Sequence, residues 1–295
     1  MSYTLSEMTE TFMTYLEYEK NVSPKTLENY GLWMRRCIEC LWDVDVTKIK
    51  PMDVLLYRKR LDTKLWLTTK TINYHIVALR SFLKFMIKND IPVIAPEKLE
   101  LAKTPPREVS FLDEAEIELV LDGPNQWEHK DIKRSRDEAI MYMLYGSWVR
   151  VSELINMKCS NIPSKGNQIQ IIGKWSKMRT WFITTQAKEK IHARLDIRKG
   201  KSEWLFINLS NYKTGSKMSR ASVEHIVRTY AKLQWITKKV TPHTLRHSFA
   251  TSLLMKGADI RSVQTLLWHS SITTTQIYTH VSDKHLGEVH KLLDE

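Results

Sequence analysis

Glycine is scarce in this chain. It fills 9 of 295 positions, about 3% where roughly 7% is usual. Cysteine is scarcer still, with three residues, Cys37, Cys40 and Cys159. An odd number argues against a closed disulfide framework. The Cys37-x-x-Cys40 pair has no second pair to complete a zinc site, and it sits in a helical pattern. The three read as buried thiols in a reducing cytosol, and no metal is expected. No run of 18 or more apolar residues exists, so no membrane-spanning helix is expected. The N-terminus, M-S-Y-T-L-S-E-M-T-E, lacks an apolar signal core, so the expected location is the cytoplasm. Acidic side chains are outnumbered, 33 to 45, for a net charge of +12. Residues 1–100 hold 15 basic and 13 acidic groups, and the remainder 30 and 20. The excess lies in the second part, which makes a polyanion a plausible partner there. Tryptophan runs the other way, with ten residues.

Periodicity organises the chain into helices. Leu5, Met8, Phe12, Met13, Tyr15 and Leu16 give residues 5–19 an apolar face. Ser23-Pro24 is a cap followed by proline in the first turn, opening a helix to about Leu41. A third helix spans Thr47 to Leu61 or begins at Pro51, since the proline biases Lys50 out of the helical region. Thr69 caps a fourth, striped by Ile72, Ile76, Leu79, Leu83 and Met86. These make a small bundle of four or five helices. Lys25, Arg35, Arg36, Arg58, Lys59, Arg60, Lys70 and Arg80 are candidates for phosphate contact, and a solvated surface explains each equally well. Residues 89–110 carry four prolines without periodicity and read as a linker, with the boundary near Thr104 to Arg107. The expected division is residues 1–103, a linker at 104–110, and a second domain at 111–295.

In the second domain, helices are expected over Asp113 to Leu121 and Lys130 to Tyr145. After a glycine-containing turn, Ser152-Glu153-Leu154 starts another helix, with Arg150 at the junction. Asn167 to Ile172 and Met178 to Thr184 alternate around Gly173-Lys174-Trp175-Ser176-Lys177, a β-hairpin with Lys174 near its tip. Ala187 to Arg198 is a helix, Glu203 to Ile207 a short strand or edge, and Ser219 to Leu233 a helix. The fold class is mainly α with a small antiparallel sheet.

The chemistry concentrates between Thr241 and His280. Thr241-Pro242 opens a helix on which His243 and Arg246, three apart, share a face. Gly257 ends it. Ile260 to Leu267 is a second helix, followed at once by His269, and Ser271 to His280 carries Tyr278. Tyrosine, with a pKa near 10, needs help to attack at neutral pH. Attack on a phosphodiester builds charge on the non-bridging oxygens, which arginine's planar fork can hold. Arg150 and Arg246 supply two such forks. Lys174 can protonate a departing alkoxide, and His243 and His269 can relay protons or bond phosphoryl oxygens. The set requires no metal or other cofactor.

These motifs resemble those of the tyrosine recombinases of the Xer and phage integrase type. They are Arg150 in V-R-V-S-E-L, Lys174 in G-K-W-S-K, His243-x-x-Arg246 in T-P-H-T-L-R-H-S-F-A, His269 in L-W-H-S-S, and Tyr278 in T-T-T-Q-I-Y-T-H. The resemblance covers essentially the whole chain. It implies a SAM-like core-binding domain followed by a DNA breaking-rejoining catalytic domain. It implies that Tyr278 attacks a DNA phosphate to form a 3′-phosphotyrosyl link, releasing a 5′-hydroxyl. Strand exchange then passes through a Holliday junction, in a homo- or hetero-tetramer on two double-stranded inverted-repeat sites. Leu286, Val289, Leu292 and Leu293 mark a terminal segment that in the family docks on a neighbouring protomer; packing on its own chain is the alternative. The two-domain form resembles the chromosome dimer resolution type, which serves chromosome partition and cell division. Competing readings are an integrase or resolvase of a mobile element, a type IB topoisomerase-like activity, and a non-catalytic DNA-binding relative.

The chain departs from the family pattern at tryptophans. Trp148, Trp175 and Trp268 stand where the family has glycine, and Trp235 and Trp66 look similar. Tryptophan is the worst substitute where φ is positive or backbones approach closely. With glycine low and tryptophan high, one cause suggests itself: a glycine codon written as tryptophan, since some bacterial lineages read UGA as glycine. If the tryptophans are genuine, the catalytically impaired reading gains weight.

Overall fold

Ser23 stands ahead of Pro24, and in the computed structural model its hydroxyl accepts the Thr26 N–H at 3.2 Å, opening helix α2 (Pro24–Leu41). The other helices of the first part begin on similar local signals. The structure describes residues 3–105, 110–163, 165–172, 178–198, 200, 202–210 and 215–267. The chain divides into two compact units, Met1–Arg107 and Glu108–Glu295.

In the first unit α1 (Leu5–Thr14) is capped by Thr4 and passes into a π-helical turn, Tyr15–Glu19. The expected helix over 5–19 is therefore present but changes pitch after Thr14. After α2, a 3₁₀ turn (Val46–Lys48) precedes α3 (Pro51–Leu65), so the third helix proper starts at the proline. The fourth, α4 (Thr69–Lys88), is capped by Thr68, one residue earlier than expected. Phe12 meets Phe82 edge-on at 5.6 Å, at the centre of a core that includes Leu16, Met34, Leu61, Ile76 and Leu79. Cys37 is part of that core, and burial pushes its thiol far up, as suits a structural thiol. The core also encloses His75. Its Nδ1 lies 2.9 Å from the Thr71 carbonyl and its Nε2 3.3 Å from the Arg36 guanidinium. Burial, with Arg36 beside it, holds His75 below the ordinary histidine range.

The second unit begins with α5 (Glu114–Trp127), where Asp113 and Glu116 form a capping box. This helix runs six residues past the expected end at Leu121, through Gly123 and Pro124. The reason is packing: a Cβ on Gly123 would lie 2.9 Å from the Tyr230 Cβ, so the missing side chain lets α5 lie close against α9 (Arg220–Leu233). Helix α6 (Asp131–Gly146) is joined to α9 by a buried network. Tyr230 donates to Asp137 at 2.9 Å, and Arg136 donates to the other carboxylate oxygen at 2.8 Å. Burial pushes the Asp137 carboxyl up, against the pull of Arg136. The last residue of α6, Gly146, abuts Thr184, whose N–H donates to the Gly146 carbonyl at 3.1 Å. Thr184 caps α8 (Thr185–Ile197), so this contact seats α8 on α6 just before the turn at 147–150.

That turn leads into α7 (Val151–Leu154). The hairpin is β1 (Gln168–Ile172) paired antiparallel with β2 (Met178–Phe182), in a register that sets Gln168 opposite Phe182 and Ile169 opposite Trp181. Among the described residues this is the only sheet. The segment expected as a strand at 203–207 makes only isolated bridges, Lys158 with Trp204 and Ile207 with Lys217. Leu205, Phe206 and Ile207 are buried in succession. A half-exposed strand would alternate instead. The last described elements of this unit are α10 (Pro242–Met255) and α11 (Ile260–Leu266). No helix among the described residues is long and apolar enough to cross a membrane.

Candidate active site

Arg246 is the residue on which the site is built. It lies on α10, whose start is fixed as the sequence suggests. Thr241 accepts the Thr244 N–H at 3.2 Å, the Thr244 hydroxyl accepts the Thr241 N–H at 3.1 Å, and Pro242 occupies the first turn. One turn along, Ser248 Oγ accepts the Leu112 N–H at 2.8 Å and donates to the Thr244 carbonyl at 2.8 Å, tying the segment that leads into α5 to α10.

Arg246 is only 4% exposed. Its guanidinium donates to two backbone carbonyls, that of Trp148 and, at 2.5 Å, that of Leu267. The first lies two residues before Arg150, and the second two residues before His269. Three segments far apart in the chain therefore meet at one planar cation. Two acceptors fix the plane of the fork, as a lysine's single ammonium could not.

Arg150 is the N-cap of α7 and about one-third exposed. Its N–H donates to Glu153 Oε2 at 2.7 Å, and its guanidinium donates to Glu153 Oε1 at 3.2 Å. Glu153 thus satisfies the helix start and orients the arginine with one carboxylate. Sequence reading did not give Glu153 a role, although its position three residues after Arg150 is the spacing of a capping box. The carbonyls of Trp148 and Leu267 carry no side-chain signature and were beyond sequence reasoning.

His243 sits in the first turn of α10, its ring 6.3 Å from that of His247. Trp148 packs against Phe249, ring centres 5.0 Å apart, and Tyr145 meets the same ring edge-on at 5.1 Å. Behind the site, α10 and the 147–150 turn are therefore cemented by an aromatic cluster. Arg150 and Arg246 are brought to one region through residues 148–150. Lys174, His269 and Tyr278 lie outside the described residues, as do Trp175, Trp268 and the terminal segment from 284 to 293. Among the described residues no group of three or more His, Cys, Asp or Glu is placed to hold a metal ion.

The phage integrase family model matches residues 110–285, and the phage integrase N-terminal SAM-like domain matches residues 9–90. A tyrosine recombinase XerD of Chlorobaculum tepidum is 34% identical, over 96% of this chain and 94% of that protein. A tyrosine recombinase XerC of Leptospira interrogans is 31% identical, over 98% of this chain and 94% of its own. Among solved structures, the XerA recombinase is 28% identical with a TM-score of 0.54, covering 98% of this chain and 99% of that one. A XerH recombinase bound to a palindromic difH substrate superposes with a TM-score of 0.75 at 21% identity, covering 99% of this chain and 85% of that one, a likeness of fold. Nearly full-length identity above 30% and a family model over more than half the chain establish that this protein belongs to the phage integrase family of tyrosine recombinases, enzymes that cut and rejoin DNA.

Proposed function

We propose that this chain is a cytoplasmic site-specific recombinase of the chromosome dimer resolution type. In this reading residues 1–103 form the core-binding domain, 104–110 the linker and 111–295 the catalytic domain. The observation that carries it is the double anchoring of Arg246, which couples the turn bearing Arg150 to the segment leading into His269. Two fixed guanidinium groups fit the charge that develops on a pentacoordinate phosphate, and their placement before reaction avoids reorganisation cost.

In the reaction, the Tyr278 oxygen attacks the phosphorus of the scissile phosphodiester. The bond from phosphorus to the 5′-oxygen breaks, leaving a 3′-phosphotyrosyl link. Arg150 and Arg246 hold the non-bridging oxygens. Lys174 gives its proton to the departing 5′-oxygen, and His243 and His269 bond the phosphoryl group or move the tyrosine proton. The link conserves the energy of the phosphodiester, so a 5′-hydroxyl from a second duplex reverses the step without ATP. A tetramer on two inverted-repeat sites exchanges one pair of strands and then the other through a Holliday junction. Support for a DNA partner comes from the XerH structure, solved on a palindromic site in a post-cleavage complex.

The test is strand exchange itself. Genomic fragments retained by the protein are cloned as two direct copies on a supercoiled plasmid. Deletion of the intervening segment is expected. Relaxation without deletion would assign a topoisomerase-like activity and overturn the proposal.

A further inference from the structure

The tryptophans divide into two groups by backbone conformation. Among the described residues, seven that are not glycine have positive φ: Asn21, Asp43, Asp90, Trp42, Trp66, Trp148 and Trp235. Asparagine and aspartate are the residue types that tolerate this region. Every other member is tryptophan. Leucine, lysine, threonine and glutamate are all far commoner in the chain, yet none appears. Four of the eight described tryptophans lie there, with φ of 63°, 50°, 55° and 58°.

All four sit just where a helix stops. Trp42 ends α2, its N–H bonding the Ile38 carbonyl at 2.9 Å, and Trp66 ends α3, bonding Asp62 at 3.0 Å. Trp235 follows the cap of α9, with Ile236 N–H reaching back to the Ala231 carbonyl at 3.1 Å, the six-to-one closure of a Schellman motif. Trp148 follows the cap of α6. The left-handed residue at such an end is usually glycine, because a Cβ there crowds the neighbouring backbone.

Little offsets that crowding: the Arg60 guanidinium lies 5.4 Å from the Trp42 ring centre, and Trp148 packs on Phe249, ring centres 5.0 Å apart. Trp42, Trp66 and Trp235 are 77%, 85% and 89% exposed, so they bury little apolar surface. Trp148 is buried, but its indole N–H has no hydrogen-bond partner among the described residues, itself a cost. The other four lack a positive φ. Trp181 is 1% exposed in the core, Trp33 stacks on Tyr74 at 5.9 Å, and Trp204 lies under Lys158 and Lys217. Trp127 closes α5 inside the helix.

We propose that positions 42, 66, 148 and 235 are glycine in the living cell, encoded by UGA triplets that its translation machinery reads as glycine, whereas 33, 127, 181 and 204 are tryptophans encoded by UGG. The structure thereby sorts the codons position by position and adds Trp42, which sequence reading had not singled out. At 148 the assignment bears on the site: the left-handed turn there aims the carbonyl that receives Arg246. Glycine holds this turn without strain and removes the orphaned indole. The proposal rests on backbone conformation and stands apart from the assignment of function.

Two measurements test it. The gene is read at the eight codons, and the protein isolated from the cells that carry it is sequenced by tandem mass spectrometry. UGA at the four left-handed positions, UGG at the other four, and glycine in the peptides spanning the former are expected. UGG at 42, 66, 148 and 235, or tryptophan in those peptides, overturns the proposal. As a second measurement, the full-length chain is prepared with tryptophan and with glycine at the three exposed positions, 42, 66 and 235. The glycine form is expected to melt about 5 °C higher or more. An equal or lower melting temperature counts against it.

Discussion

Arg150 and Arg246 are proposed to do the same work on a phosphate, yet they carry different structural burdens. Arg246→Ala removes a buried cation from between two buried carbonyls, those of Trp148 and Leu267. Each bond to a charged donor contributes about 1.5–3 kcal/mol, and each stranded carbonyl costs a further fraction of its desolvation. Taken together and allowing for relaxation, the loss is about 3–5 kcal/mol. For a unit of this size, about 2–4 °C of melting temperature goes with each kcal/mol, so the catalytic unit should melt about 6–20 °C lower. Arg150→Ala removes a one-third-exposed side chain from a single ion pair with Glu153, which amounts to about 0–1 kcal/mol, at most about 4 °C. Both variants should lose about 100- to 1,000-fold in single-turnover DNA cleavage, the usual effect of deleting one preorganised donor. Calorimetry on the two full-length variants, with cleavage measured at a temperature where both are folded, separates the two effects. If Arg246→Ala melts within about 2 °C of the parent, the anchoring role is wrong.

Other residues give narrower expectations. Glu153→Ala frees the Arg150 guanidinium and strips the acceptor from its N–H; cleavage should fall about tenfold with DNA affinity nearly unchanged, which a filter-binding assay beside single-turnover kinetics reads. Gly146→Ala drives a Cβ into Thr184 at the α6–α8 junction; the catalytic unit should lose about 1–3 kcal/mol in chemical denaturation. His75 has a folded pKa below its unfolded value near 6.5, so the unfolded chain binds the extra proton first. Its contribution is fully present above that value and is lost as pH falls through the folded pKa. The first unit should therefore weaken with acid below about pH 6.5, and His75→Asn should flatten that dependence in pH-resolved melting.

Much of this architecture is legible in the sequence because it is written in local signals. Ser23-Pro24 and Thr241-Pro242 announce helix starts that the structure has at those residues. The mostly helical class with one antiparallel hairpin follows from periodicity. Where local rules mislead, a distant partner decides. The expected helix ends at Leu121, yet α5 continues through Gly123 and Pro124 because Tyr230 of α9 packs where a side chain on Gly123 would be. Residues 203–207 read as a short strand or edge, but they make only isolated bridges, at Trp204 and Ile207, with Leu205, Phe206 and Ile207 buried in succession. The site shows the same division. Arg150, His243 and Arg246 are visible as residue types in a pattern. That Arg246 is buried on the carbonyls of Trp148 and Leu267 depends on backbone atoms about 100 and 20 positions away, which no residue pattern encodes.

The central claim is that this protein cuts DNA through Tyr278. The direct measurement is covalent capture on a nicked suicide substrate carrying the recovered inverted repeat, with the full-length chain in its tryptophan and glycine forms. A protein–DNA adduct is expected, mapped to Tyr278 by peptide mass spectrometry and absent in Tyr278→Phe. No adduct from either form, or an adduct that survives Tyr278→Phe, would contradict the account.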